Sequence, residues 1–266
     1  MSMLGAIIGD IVGSSYEFHN VKTKSFQLFT GSSCFTDDTI LTCATADYLL
    51  NSLAPEEALR KWGRAYQDRK YENGAVEAFG AGFMNWLKTG TSIQSKSNGC
   101  IMRLSPISLL LNDLNMAMDK AIKLTKVTHD HPESINATRA YVETMWLVSR
   151  GIKNQKIKNQ IAEKYHYDLS RSVNEIRAGY DKFYVSCERT VPEAIICALD
   201  AKSYGDAIRN AVSLGGDSDT LACMAGGIAA LRYPIPFKMR ENARKLLDNR
   251  QLDIIRQFYQ NTRSRS

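Results

Sequence analysis

The sequence predicts an all-α protein, a single compact multi-helix domain, and three observations carry that expectation. Apolar residues recur at helical spacing along most of the chain and nowhere give way to sustained strand alternation. The helical stretches open on proline, serine or acids and close on glycine or proline, the residues that suit helix starts and stops. The 266 residues, 44% hydrophobic and 23% charged, suffice for one large core and are ordinary for a globular chain. One domain over 1–266 is expected, with 261–266 as a flexible tail.

Residues 3–16 open the chain as an apolar helix. Gly5, Gly9 and Gly13 fall at four-residue spacing and bare one face for close packing, while Asp10 interrupts the run and Glu17 follows its end. A polar loop through Lys22, Lys24, Gly31 and Ser33, free to move, delivers the chain to Phe35-Thr36-Asp37-Asp38-Thr39 and a second helix reaching residue 50. Pro55, Glu56 and Glu57 start a surface helix that runs to Tyr71, proline and acids being favoured in a first turn. A further helix is expected over 75–87, with Gly80 and Gly82 inside it. The polar loop 89–99 then carries Ser95, Ser97, Asn98 and Gly99 ahead of a helix, followed by Cys100-Ile101-Met102-Arg103-Leu104-Ser105-Pro106. Helices over 115–128 and 132–149 flank the turn Thr128-His129-Asp130-His131.

Residues 151–184 are polar and lysine-rich, with short amphipathic stretches facing solvent. A helix opens at Thr190-Val191-Pro192 and reaches about residue 201, and Ser203 with Asp206 has the spacing of a capping box before a helix over 207–214. Gly215 ends that helix and lets the chain reverse. Gly216-Asp217-Ser218-Asp219-Thr220 follows, then the apolar run 221–231, closed by Pro234 and Pro236. One amphipathic helix over 241–259 ends the protein.

A formal net charge of +6 suits an anionic ligand such as a diphosphate. The marks of a dedicated nucleic-acid binder are missing: no arginine-rich block beyond Arg263-Ser264-Arg265-Ser266, no zinc-knuckle spacing, and no basic stripe interleaved with aromatics. Six scattered cysteines without a CxxC pair read as free thiols in a reducing compartment. No basic residue precedes the apolar 4–9 stretch, Asp10 breaks it early, and no apolar run approaches a membrane span. A soluble cytoplasmic protein with no membrane partner is expected.

The chemistry concentrates at two helix mouths. Thr36, Asp37 and Asp38 precede one apolar helix, and Asp217, Asp219 and Thr220 precede another. If the mouths face each other they form a cage of hard oxygen donors, which suits Mg²⁺ or Mn²⁺ over zinc or copper. Four carboxylates exceed what one Mg²⁺ takes, whereas two ions about 3.5–4 Å apart would balance them. The plainer alternative is that Asp38 and Asp219 are ordinary N-caps. Ser95, Ser97, Asn98 and Gly99 ahead of a helix could cradle phosphate through backbone N–H groups. His129 and His131 lack a third ligand in zinc spacing, so His129 reads as a wall of a pocket.

These residues resemble the ADP-ribosylglycohydrolases, the family of the dinitrogenase-reductase activating glycohydrolase and the eukaryotic ADP-ribosyl-acceptor hydrolases. The resemblance runs from Gly5-Ala6-Ile7-Ile8-Gly9-Asp10 and Glu17 through Phe35-Thr36-Asp37-Asp38-Thr39, Asn98-Gly99 with Met102-Arg103, and Thr128-His129, to Ser213-Leu214-Gly215-Gly216-Asp217-Ser218-Asp219-Thr220. It implies an all-α fold with a binuclear Mg²⁺ or Mn²⁺ centre in a central cleft. It also implies hydrolysis of the glycosidic bond that joins the terminal ribose of ADP-ribose to a modified acceptor. Carried over by position, Thr36, Asp37, Asp38, Asp217, Asp219 and Thr220 are the metal ligands, and Glu17 is the acid of a mobile flap. Ser95, Ser97, Asn98 and Gly99 hold the diphosphate, with His129 near the nucleotide and 186–189 toward the adenosine. Catalysis falls to Glu17, Asp37, Asp38 and Asp219.

One departure is visible, since Ser97 stands where the family usually has glycine and a positive φ is less accessible there. The implied partners are an ADP-ribosylated protein or small-molecule conjugate, with nucleic acid only as an ADP-ribosylated acceptor. Two other functions fit the same residues: a catalytically silent, ADP-ribose-binding or structural member, as in lens crystallins, and a metal-dependent nucleotide phosphohydrolase. Both acid clusters are intact, which counts against silence, and the identity of the products separates the hydrolases.

Overall fold

The computed structural model describes residues 1–71 and 77–263, and thirteen α-helices run through them. In order they are α1 (Ser2–Ser14), α2 (Asp37–Leu50), α3 (Pro55–Tyr66), α4 (Ala81–Thr89), α5 (Leu114–Lys126), α6 (Pro132–Ser149), α7 (Asn154–Tyr165), α8 (Val173–Gly179), α9 (Cys187–Leu199), α10 (Tyr204–Val212), α11 (Ser218–Ala229), α12 (Phe237–Arg244) and α13 (Asn249–Arg263). Two 3₁₀ segments, Asn98–Cys100 and Met102–Leu110, join α4 to α5. No strand occurs among the described residues, only the isolated bridges Ile93 to His129 and Ser97 to Ser186.

The two most apolar segments, α1 and α11, are the centre of the molecule. Nearly every residue of both is buried, as befits helices that are apolar all round. They touch backbone to backbone: a Cβ on Gly9 would stand 2.0 Å from the Ala222 carbonyl oxygen. Side chains stitch the contact, Ser2 Oγ donating to Gly227 O at 2.7 Å and Ser218 Oγ to Gly13 O at 2.9 Å. The buried Tyr204 and Tyr141 hydroxyls donate to Gly5 O at 2.7 Å and Met224 O at 3.0 Å, tying neighbouring helices to the pair. Helices α2, α9, α10 and the Met102–Leu110 segment pack around this pair.

Several boundaries differ from expectation, each for a local reason. The helix expected over 75–87 begins at Ala81, because Gly80 takes an extended backbone (φ −57°, ψ 146°) and caps α4; positions 75 and 76 lie outside the described residues. The surface helix stops at Tyr66 and turns, Arg69 N donating to Tyr66 O at 3.0 Å. The helix expected behind the Ser95–Gly99 loop is instead 3₁₀ backbone, Asn98–Cys100 and Met102–Leu110, with Pro106 inside the second. Ser186, not the Thr190 region, caps α9, which leaves Pro192 in its interior. The helix expected over 241–259 is two, separated where Asp248 N donates to Gln251 Oε1 and Gln251 N to Asp248 Oδ1, each at 3.0 Å. Residues 261–263, expected in a tail, finish α13, and 264–266 lie outside the described residues. Among the described residues no helix is long and apolar enough to cross a membrane, and all six cysteines are buried with none in a disulfide.

Candidate functional site

Asp10 organises the first mouth from its buried position on α1. Its carboxylate accepts from Thr36 N (3.0 Å), Thr36 Oγ1 (2.7 Å) and Thr39 N (3.0 Å), and from the Thr39 hydroxyl. Thr36 in turn caps α2 by accepting from Asp38 N at 3.3 Å. The Thr36 hydroxyl is therefore already engaged on two sides. The fixed turn presents Asp37 half-buried at a cavity wall and drives Asp38 inward, where it is 1% exposed.

The second mouth forms where Gly215 and Gly216 take successive positive φ values, 77° and 69°, a conformation open to glycine at little cost. Asp217 and Asp219 project from that turn into the first cluster. Thr220 Oγ1 donates to Asp38 Oδ2 at 3.2 Å, linking α11 to α2, and Asn98 Nδ2 donates to Asp217 Oδ2 at 2.6 Å. Ligand atoms of Glu17, Asp217 and Asp219 lie within 4.8 Å of one another. Of the predicted ligands the structure thus gathers Asp217 and Asp219 with Glu17, joins Asp38 to them through Thr220, and sets Asp37 on the wall of the neighbouring cavity, while the Thr36 hydroxyl is turned to Asp10.

Burial sets the electrostatics of the cluster. It raises Asp37 to about 7 and Asp10 to about 6, Asp37 being pushed further by Asp10 and Asp217. Desolvation likewise lifts Asp38 and Asp219 well above the carboxylate range, helped for Asp38 by Asp10 and for Asp219 by Glu17. Asp217 is raised less, because Asn98 supports its charge. Oδ1 of Asp38 and Oδ1 of Asp219 are buried without a hydrogen-bond partner. Unpaired buried carboxylate oxygens are costly unless a cation receives them. The all-oxygen donor set around them fits a hard divalent ion such as Mg²⁺ or Mn²⁺.

A cavity of about 90 Å³ opens beside Asp37, lined by Ser95, Ser97, Gly99, Arg103 and His129 among others. Ser97 Oγ and His129 Nε2 are 2.7 Å apart, and Ser95 Oγ donates to Ser97 Oγ at 3.0 Å. Thr128 Oγ1 contacts His129 Nδ1 at 2.7 Å and receives Arg103 Nη2 at 2.8 Å. Burial first and Arg103 second push His129 down to about 3, so the ring is neutral in this wall. Ser97 has φ −73°, so its position asks nothing of glycine. Asn98 leaves the loop and turns to the acid cluster.

The surroundings of the cluster revise one sequence expectation and give Asp10 a larger part than its place in the sequence suggests. The loop expected to move freely is tethered: Asn20 Oδ1 accepts from Gly216 N, Lys22 donates to the carbonyls of Tyr180 and Leu214, and Arg209 Nη1 donates to Lys24 O and Phe26 O at 2.7 Å each. The 186–189 segment sits against the Ser95–Gly99 loop: Ser186 bridges to Ser97, and Cys187 N donates to Lys96 O at 2.8 Å. Asp10 orders the whole first mouth, and its signal in the sequence is an acid inside an otherwise apolar run. His131 faces away, accepting from Glu133 N at 3.0 Å to cap α6.

Comparison with known proteins follows the same lines. A family model described as ADP-ribosylglycohydrolase matches residues 1–265. The ADP-ribosylarginine hydrolase Tri1 of Pseudomonas putida is 24% identical over 270 residues, covering 88% of this chain and 70% of that protein. The mouse ADP-ribosylhydrolase ARH3 is 23% identical over 310 residues, covering 87% of this chain and 82% of its own length. A solved structure titled ADP-ribosylglycohydrolase-related protein complex superposes with a TM-score of 0.71 at 21% identity, covering 97% of this chain and 96% of that one, and so shares the fold.

Proposed function

The chain belongs to the ADP-ribosylglycohydrolase family, and from that premise we propose that it is a divalent-metal-dependent hydrolase that frees ADP-ribose from a modified acceptor by cleaving the glycosidic bond at the terminal ribose. Family membership and the names of the relatives support ADP-ribosyl hydrolysis as such. The metal dependence rests on one observation above all: Asp38 Oδ1 and Asp219 Oδ1, on two facing helix mouths, are buried with no partner.

Thr36, Asp37, Asp38, Asp217, Asp219 and Thr220 would hold two Mg²⁺ or Mn²⁺ ions. When bound, such ions stabilise developing negative charge and orient the oxygens they contact. The chain's own groups do the rest. Asp10 fixes the Thr36 turn, and Asn98 fixes Asp217, so that the carboxylates are set before substrate arrives. Ser95, Ser97, Gly99 and the neutral His129 line the cavity that receives the nucleotide side of ADP-ribose. Water attacks the anomeric carbon as the bond to the acceptor breaks and cationic character develops on the sugar. Glu17, within 4.8 Å of Asp217 and Asp219, takes up the proton that the attacking water releases and returns it to the departing acceptor atom, which leaves with the bonding electron pair.

The test is chromatographic product analysis on ADP-ribosylated arginine and serine peptides, with Mg²⁺ and with EDTA. Free ADP-ribose released only with Mg²⁺ is the expected result. AMP as the product would mean attack at phosphorus, and ADP-ribose released equally in EDTA would remove the metal from the account. Glu17→Gln is expected to lower turnover, and an unchanged rate would take the proton transfer away from Glu17.

A further inference from the structure

Resting on the hydrolase function proposed above, we propose that Phe18 and Phe183 are the acceptor platform of this site, a pair of aromatic faces that receives a planar cation, the guanidinium of an ADP-ribosylated arginine side chain. The two rings are parallel to within 1°, with centroids 6.4 Å apart, toward the open end of the range for stacked pairs. They are 50% and 47% exposed, so neither serves mainly to fill the core.

Their place follows from the two segments that carry them. Phe18 directly follows Glu17, whose carboxylate joins Asp217 and Asp219. Phe183 directly follows Lys182, whose carbonyl oxygen lies 3.1 Å from where a Cβ on Gly216 would stand, one residue before Asp217. Beyond Phe183, Val185 O accepts from Asn98 N at 2.8 Å and Ser186 bridges to Ser97. The 182–186 segment is therefore a strap from the turn that carries Asp217 to the loop that carries Ser97. The segment after Phe18 is tied to the same turn through Asn20 and Lys22. Where the two straps meet, the phenyl rings of the residues that directly follow Glu17 and Lys182 stack, while the Ser95–His129 cavity opens beside Asp37. A substrate with its nucleotide in that cavity and its anomeric carbon at the acids sends its acceptor out past Glu17 and against the rings.

The chemistry of the rings selects the acceptor. An aromatic face is the negative lobe of the ring quadrupole, and it attracts a cation held within about 6 Å of its centroid. A guanidinium is planar, delocalised and weakly hydrated, so it stacks on such a face more readily than an ammonium does. A serine-linked acceptor brings no planar or charged group to this place. The pair accordingly favours the nitrogen-linked arginine adduct.

Steady-state kinetics on ADP-ribosylated arginine and serine peptides, for the wild type and for Phe18→Ala, Phe183→Ala and Phe18→Tyr, test the platform, together with calorimetric binding of free ADP-ribose. The wild type is expected to prefer the arginine adduct. Each alanine substitution should lower kcat/KM on it by about tenfold, mainly through KM, and leave the Kd for free ADP-ribose unchanged. Phe18→Tyr, which keeps the ring face, should stay near wild type. A preference for the serine adduct, or unchanged kcat/KM in both alanine variants, overturns the platform while the hydrolase function stands. An equal loss of free ADP-ribose binding assigns the rings to the nucleotide and overturns it as well. Release from neither adduct by the wild type overturns the hydrolase function and the platform with it.

Discussion

Asp37 and Asp10 carry the sharpest consequence of burial. A carboxyl whose folded pKa stands above its unfolded value of 3.8 supports folding fully below that value. It withdraws the support as pH rises through the folded pKa, here about 7 for Asp37 and about 6 for Asp10. Metal-depleted protein should therefore lose thermal stability from about pH 4 to about pH 7, and excess Mg²⁺ should raise Tm more at the alkaline end, where the carboxylates are ionised. A Tm flat across that range, or a Mg²⁺ effect equal at both ends, contradicts this assignment of the cluster. Asp38→Asn and Asp219→Asn should each lower turnover by about 100-fold or more while Tm holds, since each exchanges a buried carboxyl with an unpartnered oxygen for a neutral amide of the same shape. Loss of activity that merely tracks unfolding in melts of the same variants would point to a structural role. The acids themselves stand out in the sequence, because paired carboxylates before an apolar run are costly. Hydrogen-bond direction does not: Asn98 turning to Asp217, or Thr36 donating to Asp10, depends on long-range packing that local pattern does not encode.

The α1–α11 contact is the element that holds the two mouths in register. Gly9→Ala would place a Cβ 2.0 Å from the Ala222 carbonyl oxygen, which is backbone and cannot swing aside. The expected cost is about 2–3 kcal/mol, read as a Tm lower by roughly 4–8 °C, with activity falling as α11 shifts. A Tm within a degree of wild type would mean that the helices are not packed this closely. At the start of α13, Gln251→Ala leaves the Asp248 amide without its partner and should cost about 1 kcal/mol in denaturant unfolding, with turnover unchanged. The four-residue glycine spacing announces the first contact from the sequence alone, because bare faces are useful only where backbones meet. The Asp248–Gln251 pair has the spacing of a cap too, but the amphipathic pattern runs on through it and masks the break. Helix ends are legible where a proline or a glycine forces them, at Pro132 and Gly215. They are hidden where a helical pattern continues through a glycine or past a cap, as at Gly80 and Asp248.

At the scale of the molecule, helical periodicity without strand alternation makes the all-α architecture readable, and the repeated unit of acids followed by an apolar helix marks where the site forms. What periodicity does not give is the closure of the rim. The loop after Glu17 looks free because its residues are polar, yet Asn20 accepts from the Gly216 amide, Lys22 donates to the Leu214 and Tyr180 carbonyls, and Lys24 pairs with Asp206. The fold therefore brings two helix mouths, the Ser95–His129 cavity and two tethered straps close together around the acids. The direct test is to titrate Mn²⁺ into metal-depleted protein, following bound ion by electron paramagnetic resonance and ADP-ribose release in the same samples. Release that is absent without metal and rises with occupancy to a plateau at two ions per chain is the predicted result. Full release by the metal-free protein, or ions that bind without any gain in release, would contradict it.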